Sequence, residues 1–322
     1  MDFQPVVYEH AAALIRERPW DVSRNYQLLT RAHGAAYETY GHFPIIPGID
    51  IYNLEAEAYG AVVAEPEGNE APAIPVPLCS DTTGLTELRP LNPSTDGRIP
   101  LLLEAAEHLQ RTYTQAHVRA PISGPFSIAC NLLGFDTLLS ATITEPESVV
   151  EALEFIACGQ IAFCREAAAR GLPVTIFESA ATPPLLSPRL FHAMVLPSLK
   201  RIMNAAAELN GAPVACIIGG DTLPIVESMM QTEPGYIICP VETDQDLFLK
   251  KMDLYSDVMV RVNMSPSVFD GENMDAAYRE ADRVFKMIDG RKNMSVGSGV
   301  LPYDTKPETV LCVKEYIESK GV

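Results

Sequence analysis

The stretch Val214-Ala-Cys-Ile-Ile-Gly-Gly-Asp-Thr222 decides how the rest of this sequence is read. Its first five residues are apolar, and Val214, Ile217 and Ile218 are β-branched, which suits a strand buried on both faces. Two glycines, then Asp221 and Thr222, break the run into a turn. A short buried strand ending in a glycine turn with a carboxylate is where α/β enzymes place chemistry.

The same unit recurs on both sides. Downstream, the pattern predicts helix 222–232, strand 236–240, helix 243–254, strand 257–263, helix 273–289 and strand 293–297. A last helix starts at Thr305, with Glu308 as its capping-box partner. Upstream lies a helix opened by Ser187-Pro188 and closed near Gly211. Before it come strand 173–178 and a helix from Thr144 to Arg170, with Thr144 and Glu147 as a capping box and Gly171 as the stop. Strand 118–124 and helix 100–113 precede these. A first strand is expected at 43–52, followed by a helix at 53–62. Residues 1–40 read as polar helices, and the Pro-, Glu- and Asp-rich segment 64–98 reads as a surface excursion. Seven or eight strand–helix units favour a TIM-type (β/α)8 barrel with an N-terminal helical extension, spanning 1–322 as a single barrel domain.

The bulk properties narrow the function. Net charge is -18, so the chain repels phosphate backbones and no nucleic-acid partner is expected. An anionic substrate would need a local basic pocket set against that field. Seven cysteines, an odd number with no CxxC pair, point to reduced thiols and a cytoplasmic location. No secretory leader is read at the N-terminus. No apolar run reaches the roughly 18 residues that span a bilayer, so no membrane partner is expected.

In such a barrel the strand C-termini form the active face. The residues read there are Asp50, Asn53 and Glu55, then Ser123 and Gly124, then Glu178, Asp221, Glu242 with Asp244, Asn263, and Ser298 with Tyr303 and Asp304. Glu178 directly follows Val-Thr-Ile-Phe; a carboxylate there suits a general base, a metal ligand or a loop cap. Asp221 suits the same chemistry or the N-cap of the next helix, and Thr243 or Asp244 suits a cap. The six histidines form no HxH, HExxH or HxxxH pattern. Cys216 and Cys239 lie on strands as buried thiols, the weak candidates for a metal. No GxSxG, P-loop or GxGxxG-after-strand pattern is present.

Several segments in order resemble the uroporphyrinogen decarboxylase and corrinoid methyltransferase superfamily. They are Glu55-Ala-Glu-Ala-Tyr-Gly60, Ser123-Gly-Pro-Phe-Ser-Ile-Ala129, Gly134-Phe-Asp-Thr137, Thr144-Glu-Pro-Glu147, Glu178, Leu186-Ser-Pro-Arg-Leu-Phe191 with Val195-Leu-Pro197, Gly219-Gly-Asp-Thr222, and Gly297-Ser-Gly-Val-Leu-Pro302 with Asp304-Thr-Lys-Pro-Glu308. The resemblance implies a TIM-type barrel. Its decarboxylase branch has an Arg-containing N-terminal motif with no counterpart in the first 60 residues. Its thiol-alkylating methyltransferases carry His-x-Cys-Gly at the Gly-Asp-Thr turn and a Cys in the late glycine turn, and these three hold zinc. Here Ile217, Gly219 and Ser298 stand at those positions, which leaves zinc uncertain. The methyltransferase branch therefore implies a component that takes a methyl group from a small methyl ether or methylamine to the cobalt of a corrinoid (cobalamin) carried by a partner protein. The expected catalytic residues are Glu178, Asp221 and Tyr303. The expected substrate contacts are Asn53, Glu55, Glu242, Asn263 and Ser298. A homodimer is compatible with this reading. A decarboxylase-like lyase or a ligand-binding barrel without catalysis is the alternative.

Overall fold

The computed structural model describes residues 3–269 and 274–320. Seven parallel strands form one curled sheet: β1 (Phe3–Val6), β2 (Ala120–Ser123), β3 (Val174–Phe177), β4 (Ala215–Ile217), β5 (Tyr236–Cys239), β6 (Met259–Met264) and β7 (Met294–Val300). Their spatial order is β1-β7-β6-β5-β4-β3-β2. Helices follow the strands and cover the outside, as a parallel sheet requires. The result is a TIM-type barrel.

Proline explains where the sheet ends. β1 contains Pro5 and β2 contains Pro121, and these are its two edge strands. A proline cannot donate to a ladder, so it is confined to an edge. In β2 the amide of Ala120 bonds Pro173 on the β3 side, whereas that of Arg119 bonds Ile45 on the free side. Pro121 shares the orientation of Arg119, so its missing donor faces that free side.

Two expectations are corrected here. The stretch 43–52 is not a strand. Pro44 and Pro47 remove donors, and the chain instead runs beside β2, with Ile45 donating to Ala116 and accepting from Arg119. It ends in a 3-10 turn, Ile51–Asn53. The first strand lies within the region read as wholly helical: Phe3–Val6 pairs with β7 ahead of helices Tyr8–Leu14, Pro19–Ser23 and Tyr26–Tyr40. Four residues are too few to show a period.

Capping succeeded where the side chain faced the turn. Ser187 accepts from the Leu190 amide, Asp244 accepts from the Leu247 amide, and Gly211 takes φ 70° at the end of helix Leu196–Asn210. The capping box at Thr144 does not form. Thr144 ends the preceding helix, Phe135–Thr144, and its hydroxyl donates to Ser140. The long helix begins at Pro146. Thr305 also fails as a cap, since its buried hydroxyl has no partner and the helix starts at Pro307. Helix 273–289 is observed as Met274–Ile288, with residue 273 outside the described residues. Within 64–98 the chain forms an Ala64–Ala73 bridge and a helix, Thr82–Thr86. Among the described residues no single helix is long and apolar enough to cross a membrane.

Candidate active site

Side chains on a strand alternate between the two faces, so every second residue points into the barrel. The register makes layers of them. Thr175, Ala215, Tyr236 and Met259 form one layer, and Phe177, Ile217, Ile238 and Arg261 the next. In most barrels such layers fill the interior. Here Ala215, Gly219 and Gly299 are too small to do so, and a cavity of about 590 Å³ runs along the inside of the strands.

The two ends of this cavity differ in charge. Arg119, Tyr236 and Gln4 lie toward the strand N-termini, with Arg261 one layer further in. Glu242, Asn263, Ser179 and Gly219 lie at the strand C-termini. The Tyr236 hydroxyl donates to Gln4 Oε1 at 2.7 Å, and Arg261 Nε donates to Asn263 Oδ1 at 3.0 Å. Burial raises the Tyr236 phenol, while Arg261, the Ser295 hydroxyl and Arg119 pull it down. Burial lowers the Arg119 guanidinium. Near the loops, the Tyr52 hydroxyl donates to Ser179 Oγ at 2.7 Å, and that oxygen accepts from the Gly219 amide at 3.1 Å. His42 also lines the cavity; burial, with His33 beside it, holds its imidazole neutral, down to about 3.

Of the residues expected at the site, Glu242 and Asn263 line the cavity. The others do not. Glu178 is fully buried behind the wall; its carboxylate accepts from the amides of Phe126 (2.9 Å) and Ser127 (2.8 Å) and from Ser127 Oγ (2.5 Å). It thus holds the N-terminus of helix Pro125–Leu133, where unpaired amides attract an anion. Burial pushes its carboxyl up to about 7, opposed by those three donors. Glu55 takes the Ser123 amide at 2.7 Å, its other oxygen has no partner, and burial pushes it too up to about 7.

Asp221 accepts from Thr243 Oγ1 at 2.8 Å, which joins the exits of β4 and β5. Gly220 makes that turn at φ +81°, where an added Cβ would stand 2.6 Å from Thr182 Oγ1. Asn53 donates to the Pro72 carbonyl at 2.6 Å and so ties down the excursion. Ser298 Oγ accepts from the Val6 amide at 3.2 Å and stitches β7 to β1. Tyr303 donates to the Glu17 carbonyl at 3.2 Å among the N-terminal helices. Asn53, Ser298 and Tyr303 are each taken up by backbone and Asp221 by a side-chain hydroxyl, as polar groups away from water require.

Arg119, Arg261 and Tyr236 were not anticipated from sequence. A signal was present: the alternation Met259-Val-Arg-Val-Asn263 sets a guanidinium in the middle of a strand otherwise suited to burial on both faces.

Comparison with known proteins agrees with this architecture. The family model described as uroporphyrinogen decarboxylase (URO-D) matches residues 6–319. The chain belongs to the URO-D family. A methylcobamide:CoM methyltransferase, MtbA of Methanosarcina acetivorans, is 25% identical over 271 residues, covering 81% of this chain and 77% of the relative. A methylated-thiol–coenzyme M methyltransferase of Methanosarcina mazei is 26% identical over 200 residues, 62% of this chain and 52% of the relative, so the match spans about half of that protein. The solved structure of a methyltransferase from Methanosarcina mazei superposes with a TM-score of 0.80 at 17% identity, covering 100% of this chain and 93% of that one. That likeness concerns the fold.

The thiolate zinc set implied by the family resemblance does not fit this URO-D chain. Ile217 and Gly219 line the cavity without a donor atom, and the Ser298 hydroxyl is taken by the Val6 amide. Cys216 and Cys239 are fully buried, and burial pushes the Cys216 thiol up to about 12 and raises that of Cys239. Among the described residues no group of three or more His, Cys, Asp or Glu is arranged to hold a metal.

Proposed function

We propose that this chain is a corrinoid-linked methyltransferase that takes a methyl group from a small methylated substrate in the barrel cavity to the cobalt of a corrinoid borne by a separate protein. The observation that carries this reading is the cavity itself, lined by strand residues and reaching the strand C-terminal loops, in a chain whose relatives are named for action on methylcobamide. The residues at Ile217, Gly219 and Ser298 favour the substrate side of such chemistry over alkylation of a thiol on zinc.

In the transfer the bond between the methyl carbon and its heteroatom breaks, with both electrons staying on the heteroatom. Cobalt(I) supplies the pair for the new cobalt–carbon bond. Cobalt(I) is already a strong nucleophile, so the protein's part is to hold the donor and deliver a proton to the leaving group. Glu242 and Asn263 are the members of the expected set that reach the cavity, and we assign them substrate contact, with Glu242 handling the proton. Asp221, through Thr243, is a positioning residue for the loop that carries Glu242. Glu178 positions helix Pro125–Leu133.

The test is anaerobic incubation of the purified chain with cob(I)alamin and a panel of methyl ethers and methylamines, read by the absorption change to methylcob(III)alamin. Formation that depends on the chain and is lost in Glu242→Gln supports the reading. No methyl–cobalt product from any donor, with carbon dioxide released from a carboxylic acid substrate instead, would turn it toward the lyase.

A further inference from the structure

We propose that the cavity selects a small methylated acid, with its anionic group clamped by Arg119 and Arg261 and its methyl-bearing end at the strand C-termini. This rests on reading the cavity as the substrate site.

The charge balance singles out these two side chains. Of the arginines that are not fully exposed, Arg18, Arg24, Arg98, Arg170 and Arg291 each have a carboxylate within ion-pair distance. Arg119 and Arg261 have none among the described residues. Both line the cavity, and both act on the phenol of Tyr236. Arg261 uses Nε on Asn263 and also hydrogen-bonds the Tyr236 phenol, so among the described residues its charge is met by neutral groups alone. Guanidiniums without a carboxylate partner are costly in a partly desolvated space, and both of these act on the same phenol, so an anion that enters beside Tyr236 is attracted by both. A guanidinium offers parallel donors matched to the two oxygens of an acid group.

The arrangement is built, since Gly297 is required for it. A Cβ there would collide with the Arg261 side chain and with the Gln4 carbonyl. It also runs against the bulk field, because a chain of net charge -18 repels anions unless positive charge is concentrated locally. Polarity orients the ligand. Arg119 lies toward the strand N-termini, Arg261 lies one layer further in, level with Ile238, and the Glu242 carboxylate lies at the C-terminal end, so an acid binds with its charge inward and its methyl-bearing end toward Glu242. Its far end then lies at the loops where a corrinoid would approach. A methylated amine without an acid group meets two positive charges and is disfavoured.

The test is calorimetric binding to the full chain without any corrinoid, using 4-methoxybenzoate and methoxyacetate against their uncharged amides. The acids are expected to bind at least about tenfold more tightly than the amides, and Arg119→Met or Arg261→Met to weaken the acids by about 30-fold or more while leaving the amides unchanged. Arg261→Lys restores part of the loss. Because neither arginine has a carboxylate within ion-pair distance among the described residues, each Met variant keeps or raises the melting temperature of the free protein, whereas a structural arginine would lower it. Amides binding as well as acids, no acid binding, or acid affinity surviving the double variant overturns the proposal. Acid binding that depends on both arginines, in a protein that forms no methyl–cobalt product, upholds the anion site and removes the transfer reading instead.

Discussion

Glu178→Ala separates scaffold from chemistry, and its size can be worked from the contacts. The carboxylate is fully buried and accepts three hydrogen bonds, two of them from amides in the first turn of helix Pro125–Leu133. Alanine leaves those donors without partners, at about 1–3 kcal/mol for each that water cannot reach. Allowing for partial relaxation, the loss is roughly 3–5 kcal/mol. At about 2 °C per kcal/mol for a large domain, the melting temperature drops by roughly 6–10 °C.

The same residue sets a pH dependence. Burial raises its carboxyl from the ordinary 4.5 to about 7. The folded chain then binds more protons than the unfolded chain between those values. Its share of stability is complete below about 4.5 and is lost as pH rises through about 7, an effect of roughly 3 kcal/mol at most. Differential scanning calorimetry of both proteins from pH 5 to 8 should show the gap widest at pH 5 and narrowing upward. A gap that widens with pH would mean that the helix N-terminus overrides burial and holds the group ionised. Glu178→Gln with an unchanged melting temperature but no methyl transfer would refute the scaffold reading, because the carboxyl would then be acting on substrate.

Four further outcomes follow from the geometry. Gly297→Ala pushes Arg261 off its path, and acid binding should weaken about tenfold with a modest loss of stability, read by calorimetry. Asp221→Asn keeps an acceptor for Thr243 and should lower kcat only a few-fold, whereas Thr243→Val removes the link and should lower it by about ten- to a hundred-fold without a matching rise in KM. Glu242→Gln should lower kcat by about a hundred-fold, in keeping with loss of a proton-handling group, and flatten the pH–rate profile. Dialysis against a chelator should leave melting temperature and acid binding unchanged, with metal analysis of the purified protein finding no stoichiometric zinc.

The site was less legible than the fold. Glu178 and Asp221 stand at strand exits in the sequence, which is where barrel enzymes keep reactive groups. Yet Glu178 turns behind the wall to the amides of a neighbouring helix, and that helix, Pro125–Leu133, was not anticipated. A one-dimensional reading locates a residue along its strand but does not tell which helix terminus lies within 3 Å of it. Asn53 and Ser298 show the same limit: their polar atoms serve the Pro72 carbonyl and the Val6 amide, partners distant in the chain.

The sequence by itself determined the alternation of strand and helix and the parallel sheet it compels, because these depend on local propensity; that Ile217, Gly219 and Ser298 stand where relatives carry zinc ligands is what the family resemblance implies. Only the tertiary structure decided that Pro5 and Pro121 mark the sheet edges, that Glu178 supports a helix and that Arg119 and Arg261 share one cavity with no carboxylate paired to either among the described residues. Those facts rest on distances between residues far apart in the chain, and on burial that gives a charge its cost, neither of which exists before the barrel closes.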